Sequence, residues 1–192
     1  MIENLFATPI YSAVVDNFQS LNYRLDKVIH KVKFYKIEGW GSTHLLSTNF
    51  SKNDKIDILN ELGLNKLTKE IDKHLKEYCS EIGYEYKRYK IDSWLSKFEK
   101  GHYAHIHHHG VTDISGVYYY KTNGKDGNLF FETPNQFLGS TLCYEKYGDR
   151  WVHYPKEGKL ILFPGWLKHG VSTNDTDDDR ISLSFNIIFE RR

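Results

Sequence analysis

Apolar positions recur with a helical period in two stretches of the first half of the chain. Leu21, Leu25, Val28, Ile29 and Val32 place an amphipathic helix at about 19–33. Leu67, Ile71, Leu75, Tyr78, Cys79 and Ile82 place a longer one, with Gly83 as its stop. Ahead of them, Leu5 to Val15 is an apolar run interrupted by Pro9, which suits a first or edge strand. The segment 34–53, with Gly39 and Gly41, has no clean period and reads as strand and loop near a pocket mouth, carrying Trp40 and His44. Beyond Gly83 the period changes to two. Tyr84–Tyr89 and Ile91–Phe98 alternate or nearly alternate, and short strands follow at Ile114–Tyr120, Asn128–Glu132, Ser140–Tyr144, Trp151–Tyr154, Lys159–Phe163 and Ile181–Phe189. Gly, Asn, Asp and Pro punctuate them, as in 121–127.

Helices first and many strands afterwards predict a mostly β fold with buttressing helices, a double-stranded β-helix of the jelly-roll or cupin-like kind. At 192 residues a single domain over 1–192 is expected, with helical support at about 17–83 and the barrel core at about 84–190.

Composition narrows the partners. A net charge of +1 gives no long-range attraction to nucleic acid or to an anionic membrane, so neither is expected as a partner. Cys79 and Cys143 lack CxxC spacing and suggest neither a disulfide framework nor a thiolate metal site; a reducing, cytoplasmic setting fits. No apolar run approaches the roughly 20 residues that span a bilayer, and the first residues do not have the form of a secretory leader.

The chemistry concentrates in His102-Tyr103-Ala104-His105-Ile106-His107-His108-His109-Gly110, which holds five of the ten histidines. Imidazole is a common ligand for iron, copper, nickel and zinc, and residues i and i+2 of an extended segment point the same way. A solvated polar loop is the alternative. The distant partner is His169, which follows the apolar run Leu160–Leu167. Eleven residues later comes Arg180, and strand alternation puts Arg180, Ser182, Ser184 and Asn186 on one face, with Ile181, Leu183 and Phe185 on the other. If that face is interior, Arg180 needs an anionic partner, because a guanidinium grips a carboxylate bidentately. If it is exterior, Arg180 can pair with the acidic loop 175–179.

Taken together, these blocks resemble the Fe(II)/2-oxoglutarate-dependent dioxygenases. More narrowly, the chain resembles a small 2OG-Fe(II) oxygenase family of marine bacteria and their phages, with a prolyl-hydroxylase-like core. The matching residues are Leu5–Tyr11, Ser93-Trp94, His107-His108-His109-Gly110 where the family reads His-x-His-Pro, Ser115–Tyr119, Gly127–Phe131, Gly158–Val171 and Arg180–Asn186. They span residue 5 to about 189. The resemblance implies Fe(II) held by His107 and His169, and 2-oxoglutarate held through its far carboxylate by Arg180, helped by Ser182 and Tyr119. For the third ligand, relatives place Asp or Glu where this chain has His109; the i and i+2 spacing from His107 favours His109 itself, with Asp113, water and His105 as alternates. His102 and His108 are then supporting or exposed residues. The implied activity is hydroxylation of a C–H bond with O2 as co-substrate, on a peptidyl proline or another protein side chain, and the implied setting is cytoplasm, including that of a phage host. Trp94, Asn186, Trp40, His44, Trp166 and the Glu132–Asn135 loop are candidate pocket residues, the tryptophans equally candidates for core. Two other readings stand beside this one: a non-catalytic cupin-like module binding a metal or a carboxylate, and a three-histidine dioxygenase that does not use 2-oxoglutarate.

Overall fold

The structure, a computed structural model, describes residues 7–36, 41–48, 57–135, 137 and 150–190. Trp40, Cys143 and the strand expected at Ser140–Tyr144 lie outside the described residues.

The chain begins with strand β1 (Tyr11–Val14), helix α1 (Phe18–Val28) with a 3-10 turn (Ile29–Lys31), and the short strands β2 (Tyr35–Lys36) and β3 (Leu45–Leu46). Helices α2 (Ile58–Glu61) and α3 (Asn65–Glu81) come next. The strands that follow are β4 (Tyr89–Phe98), β5 (Ala104–His107), β6 (Ile114–Lys121), β7 (Leu129–Glu132), β8 (Arg150–His153), β9 (Lys159–Pro164), β10 (His169–Val171) and β11 (Arg180–Phe189). Gly83 ends α3 at φ +71°, where the Tyr84 N–H returns to the Cys79 carbonyl. Tyr84–Arg88, expected as strand, is irregular: the chain is still leaving the helix there, and Tyr86 and Tyr89 turn their hydroxyls toward Asp72 of α3.

Two antiparallel sheets form the jelly roll. The larger runs β1-β9-β6-β11-β4-β3-β2 and the smaller β5-β10-β7-β8. Central strand β11 pairs with β4 along its whole length, from Arg180 opposite Phe98 to Phe189 opposite Tyr89. Its alternation divides the molecule. Ile181, Leu183, Phe185, Ile187 and Phe189 pack on one side with Leu21 and Leu25 of α1 and with Leu67, Ile71 and Leu75 of α3. The other face looks between the sheets, where Phe98, Val117, Tyr119, Ile161 and Phe163 of the large sheet meet Ala104, Leu129, Phe131 and Val171 of the small one. Neither α1 nor α3 has a side-chain cap. A cap contributes about 1 kcal/mol and each buried leucine about 1.5–3 kcal/mol, so packing on the sheet holds the helices in place. Among the described residues no helix is long and apolar enough to cross a membrane.

Candidate metal centre and carboxylate pocket

Sheet register assembles three histidines. β5 and β10 are neighbours in the small sheet, with His107 directly opposite His169. His109 joins them from the loop after β5, and main-chain bonds hold that loop: the His109 N–H donates to the Gly165 carbonyl (2.8 Å) and the Gly165 N–H to the Asp113 carbonyl (3.2 Å). Gly165 is required because a Cβ there would sit 2.2 Å from the Thr112 carbonyl oxygen. The loops bearing His109 and His169 thus touch backbone to backbone. We expect Gly165→Ala to push them apart, costing about 1–3 kcal/mol of stability and weakening metal binding; denaturant midpoints and Ni(II) titration check both.

One ring nitrogen from each of His107, His109 and His169 lies within 4.8 Å of the others. The opposite nitrogen of each ring is already engaged. His107 Nδ1 meets the His105 carbonyl (2.7 Å), His169 Nδ1 the Leu167 carbonyl (2.8 Å), and His109 Nδ1 the Asn186 side-chain oxygen (2.5 Å). A carbonyl only accepts, so Nδ1 carries the proton and Nε2 keeps its lone pair. Burial holds all three imidazoles neutral. It lowers the His107 pKa, brings that of His109 to about 4 and that of His169 well below the usual histidine range, and the neighbouring imidazoles add to the shift in each. Three neutral imidazoles whose Nε2 atoms converge suit a divalent first-row metal.

The alternates point elsewhere. Asp113 turns its carboxylate to the main-chain N–H of Phe189 (2.7 Å), capping the end of β11. His105 faces outward, its N–H on Ser42 Oγ and its Nδ1 by the Ile106 carbonyl. His102 and His108 accept N–H groups of Glu99 and Gly110 through Nδ1. Gly110 has φ +61°, a conformation closed to proline, so this loop cannot follow the His-x-His-Pro pattern expected from the resemblance.

Arg180 lines the same cavity and is 1% exposed. It faces inward: the acidic loop expected as its alternative partner is engaged elsewhere, Asp177 with Lys100, Asp179 with Lys97 and Asp178 with Asn123. Arg180 Nη1 donates to the Gly127 carbonyl (2.8 Å), and the guanidinium lies over the rings of Phe98 and Tyr119. Among the described residues no carboxylate forms an ion pair with it. Its Nε and the Tyr119 hydroxyl are both buried without a hydrogen-bond partner. Burial lowers the Arg180 pKa and raises that of Tyr119. Buried Asp126 attracts the guanidinium at a distance, but its carboxylate accepts from the Thr122 hydroxyl and the Asn123 N–H; a buried cation without a direct ion pair costs several kcal/mol, and the idle Arg180 Nε and Tyr119 hydroxyl describe a site for an anion. Ser182 lies directly opposite Tyr119 on the adjacent strand and lines the cavity.

The cavity encloses about 620 Å³ and is lined by the three histidines, Arg180, Trp94 and Asn186 among others. Trp94 packs 5.9 Å from the His109 ring. Trp166 is 51% exposed; neither is core filling. The Glu132–Asn135 loop is absent from the cavity wall, since Glu132 pairs outward with Arg150. Ser115 is a site residue the sequence reading passed over, although a lone serine within the apolar run of β6, two residues from Val117 on the same face, is a detectable signal.

His44 also lines the cavity, stacked on Phe98 at 4.6 Å, with its Nδ1 buried and unpartnered. Burial is the main cause lowering its pKa from 6.5 to about 4. The folded state therefore binds fewer protons than the unfolded chain between those values, and stability is lost as pH falls through that window, at up to about 1.4 kcal/mol per pH unit for one group. His44→Phe keeps the stacking and removes the titration. Guanidinium unfolding at pH 7 and pH 5 is expected to show a smaller stability loss in this variant than in the wild type.

Comparison with known proteins agrees with this geometry. The family described as "Putative 2OG-Fe(II) oxygenase" matches residues 92–186. Among solved structures, a Pseudomonas putida prolyl-4-hydroxylase aligns with a TM-score of 0.67 at 11% identity, over 98% of this chain and 95% of that one. HygX from Streptomyces hygroscopicus, solved with nickel and 2-oxoglutarate bound, aligns at 0.64 and 10% identity, over 94% and 82%. The alpha-ketoglutarate-dependent epimerase SnoN of nogalamycin biosynthesis aligns at 0.64 and 12%, over 94% and 78%. At such identities the structural likeness is one of fold. No curated protein matches in sequence.

Proposed function

We propose that this chain, which matches the 2OG-Fe(II) oxygenase family over residues 92–186, holds Fe(II) through Nε2 of His107, His109 and His169 and hydroxylates a C–H bond at the expense of 2-oxoglutarate. The observation that carries this reading is the buried Arg180, without an ion pair among the described residues, in one cavity with three converging neutral imidazoles. When bound, the metal and 2-oxoglutarate supply the oxidation: O2 is consumed, 2-oxoglutarate loses CO2 to become succinate, and one oxygen atom passes to the substrate.

The chain's own residues bind, orient and exclude water. Arg180 offers the idle Nε and its remaining N–H groups to the distal carboxylate of 2-oxoglutarate, and the Tyr119 hydroxyl donates beside it. Ser182 lines the same cavity. The Gly127 carbonyl holds the guanidinium in place. Phe131 and Phe163 pack on the His169 ring and keep water from that side of the centre. Because no ligand is a carboxylate, the metal keeps one more positive charge than in a two-histidine, one-carboxylate centre.

For the substrate we propose a side chain presented by a polypeptide, a prolyl residue foremost. The loops carrying His109 and His169 support this by displaying apolar Val111, 91% exposed, and Trp166 to solvent. A competing reading, a three-histidine dioxygenase that ignores 2-oxoglutarate, is favoured by the missing carboxylate ligand and opposed by the unpaired Arg180. Succinate release separates them. Incubation with Fe(II), O2, ascorbate and 2-oxoglutarate is expected to yield succinate even without a prime substrate. If none forms, and 2-oxoglutarate neither perturbs the Fe(II) spectrum nor raises the melting temperature, the 2-oxoglutarate reading fails.

A further inference from the structure

His107 and His169 are oriented by main-chain carbonyls. His109 is oriented by side chains on two other strands. Asn186 Oδ1, from β11, lies 2.5 Å from His109 Nδ1, while Ser115 Oγ, from β6, lies 2.9 Å from that nitrogen and 3.0 Å from the Asn186 oxygen. The three groups close a triangle behind the ring. Resting on the three-histidine centre above, we propose that Asn186, its amide held by Ser115, is the positioning residue that makes His109 a metal ligand.

The argument is one of proton placement. A neutral imidazole has one N–H, and only the other nitrogen can bind a metal. If the Asn186 oxygen faces Nδ1, the proton stays on Nδ1 and Nε2 presents its lone pair to His107 and His169. If the amide nitrogen faced Nδ1, the proton would move to Nε2 and point an N–H into the centre. The structure has the first arrangement: the Asn186 oxygen faces Nδ1, and the fully buried Ser115 donates its hydroxyl proton to that same oxygen. Asn186 differs from a carboxylate in the same place because it orients the ring without adding charge.

The test uses the Co(II)-loaded protein, in which each ligated imidazole with a proton on Nδ1 gives a hyperfine-shifted, solvent-exchangeable NMR signal, together with Co(II) affinity by chelator competition. The wild type is expected to show three such signals. Asn186→Leu should keep those of His107 and His169, lose the third, and bind Co(II) about 10- to 100-fold more weakly. Asn186→Asp retains an acceptor and should restore all three signals and near-wild-type affinity. Ser115→Ala leaves Asn186 unsupported and should weaken binding about fivefold, the equivalent of one hydrogen bond, which keeps the idea testable if Asn186→Leu does not fold. Three signals and unchanged affinity in Asn186→Leu, or unchanged affinity in Ser115→Ala, would overturn the role of the triangle while leaving the three-histidine centre standing. Two signals in the wild type would instead overturn the three-histidine centre itself.

Discussion

Arg180→Met is expected to lower the 2-oxoglutarate affinity of the Ni(II)-loaded protein by about 100-fold or more, while the ligand-free protein melts at the wild-type temperature or above it. The two halves have one cause. A guanidinium that is 1% exposed, without an ion pair among the described residues and with Nε idle, carries a desolvation cost of several kcal/mol that an anion can offset. Methionine takes similar space against Phe98 and Tyr119 without that cost, and apolar replacement of buried charge is often neutral or stabilising by about 1–4 kcal/mol. Against this stands the lost bond to the Gly127 carbonyl, about 1 kcal/mol. Calorimetry reads the affinity and thermal unfolding reads the stability, with 1 kcal/mol equal to about 2–4 °C at this chain length. Unchanged affinity would remove Arg180 from the 2-oxoglutarate site. A drop of more than about 5 °C in the ligand-free protein would make it a structural residue.

The second large effect separates a third imidazole from a third carboxylate. His109→Ala is expected to lower Fe(II) affinity by about 100-fold, because it removes one of three ligands and leaves Asn186 and Ser115 without the ring they hold. His109→Asp should keep succinate formation within about tenfold of the wild type. The aspartate occupies the same i+2 position after His107, and Asn186 can turn its amide to offer N–H to a carboxylate as readily as it offers oxygen to an imidazole. The preference should also move from Ni(II) and Zn(II) toward Mn(II), since an oxygen ligand replaces nitrogen. Metal competition checks the order. Wild-type Fe(II) affinity in His109→Ala would reduce the centre to two histidines.

Where one element's own period carries the information, the sequence already held the answer. That Arg180, Ser182, Ser184 and Asn186 share one face of β11 follows from alternation alone once the strand is recognised. Helix α3 and its stop at Gly83 follow from a 3.6 period and one glycine. The i and i+2 spacing of His107 and His109 keeps their rings 5.2 Å apart, although His109 stands in the loop after β5. At 84–88 periodicity misled, since an alternating sequence there spends its tyrosines on Asp72 of the preceding helix and on Phe189. Asp113 stands in the sequence only as an alternate to His109, and its nearness to that residue says nothing of the Phe189 N–H, which takes its carboxylate.

By itself, then, the sequence determined which residue types could bind a metal and a carboxylate, and on which face of its own strand each one lies, because periods of 2 and 3.6 are properties of a single segment. Tertiary structure alone decided which of them meet. It set His107 opposite His169, closed Asn186 and Ser115 behind His109, pressed Gly165 onto Thr112, and left Arg180 facing inward without an ion pair among the described residues. Each of these depends on sheet register between strands tens of residues apart, and a one-residue slip would turn every side chain of a strand to its other face. Register is set by the summed burial of both sheets and the helices behind them, a quantity that no local stretch of the chain contains.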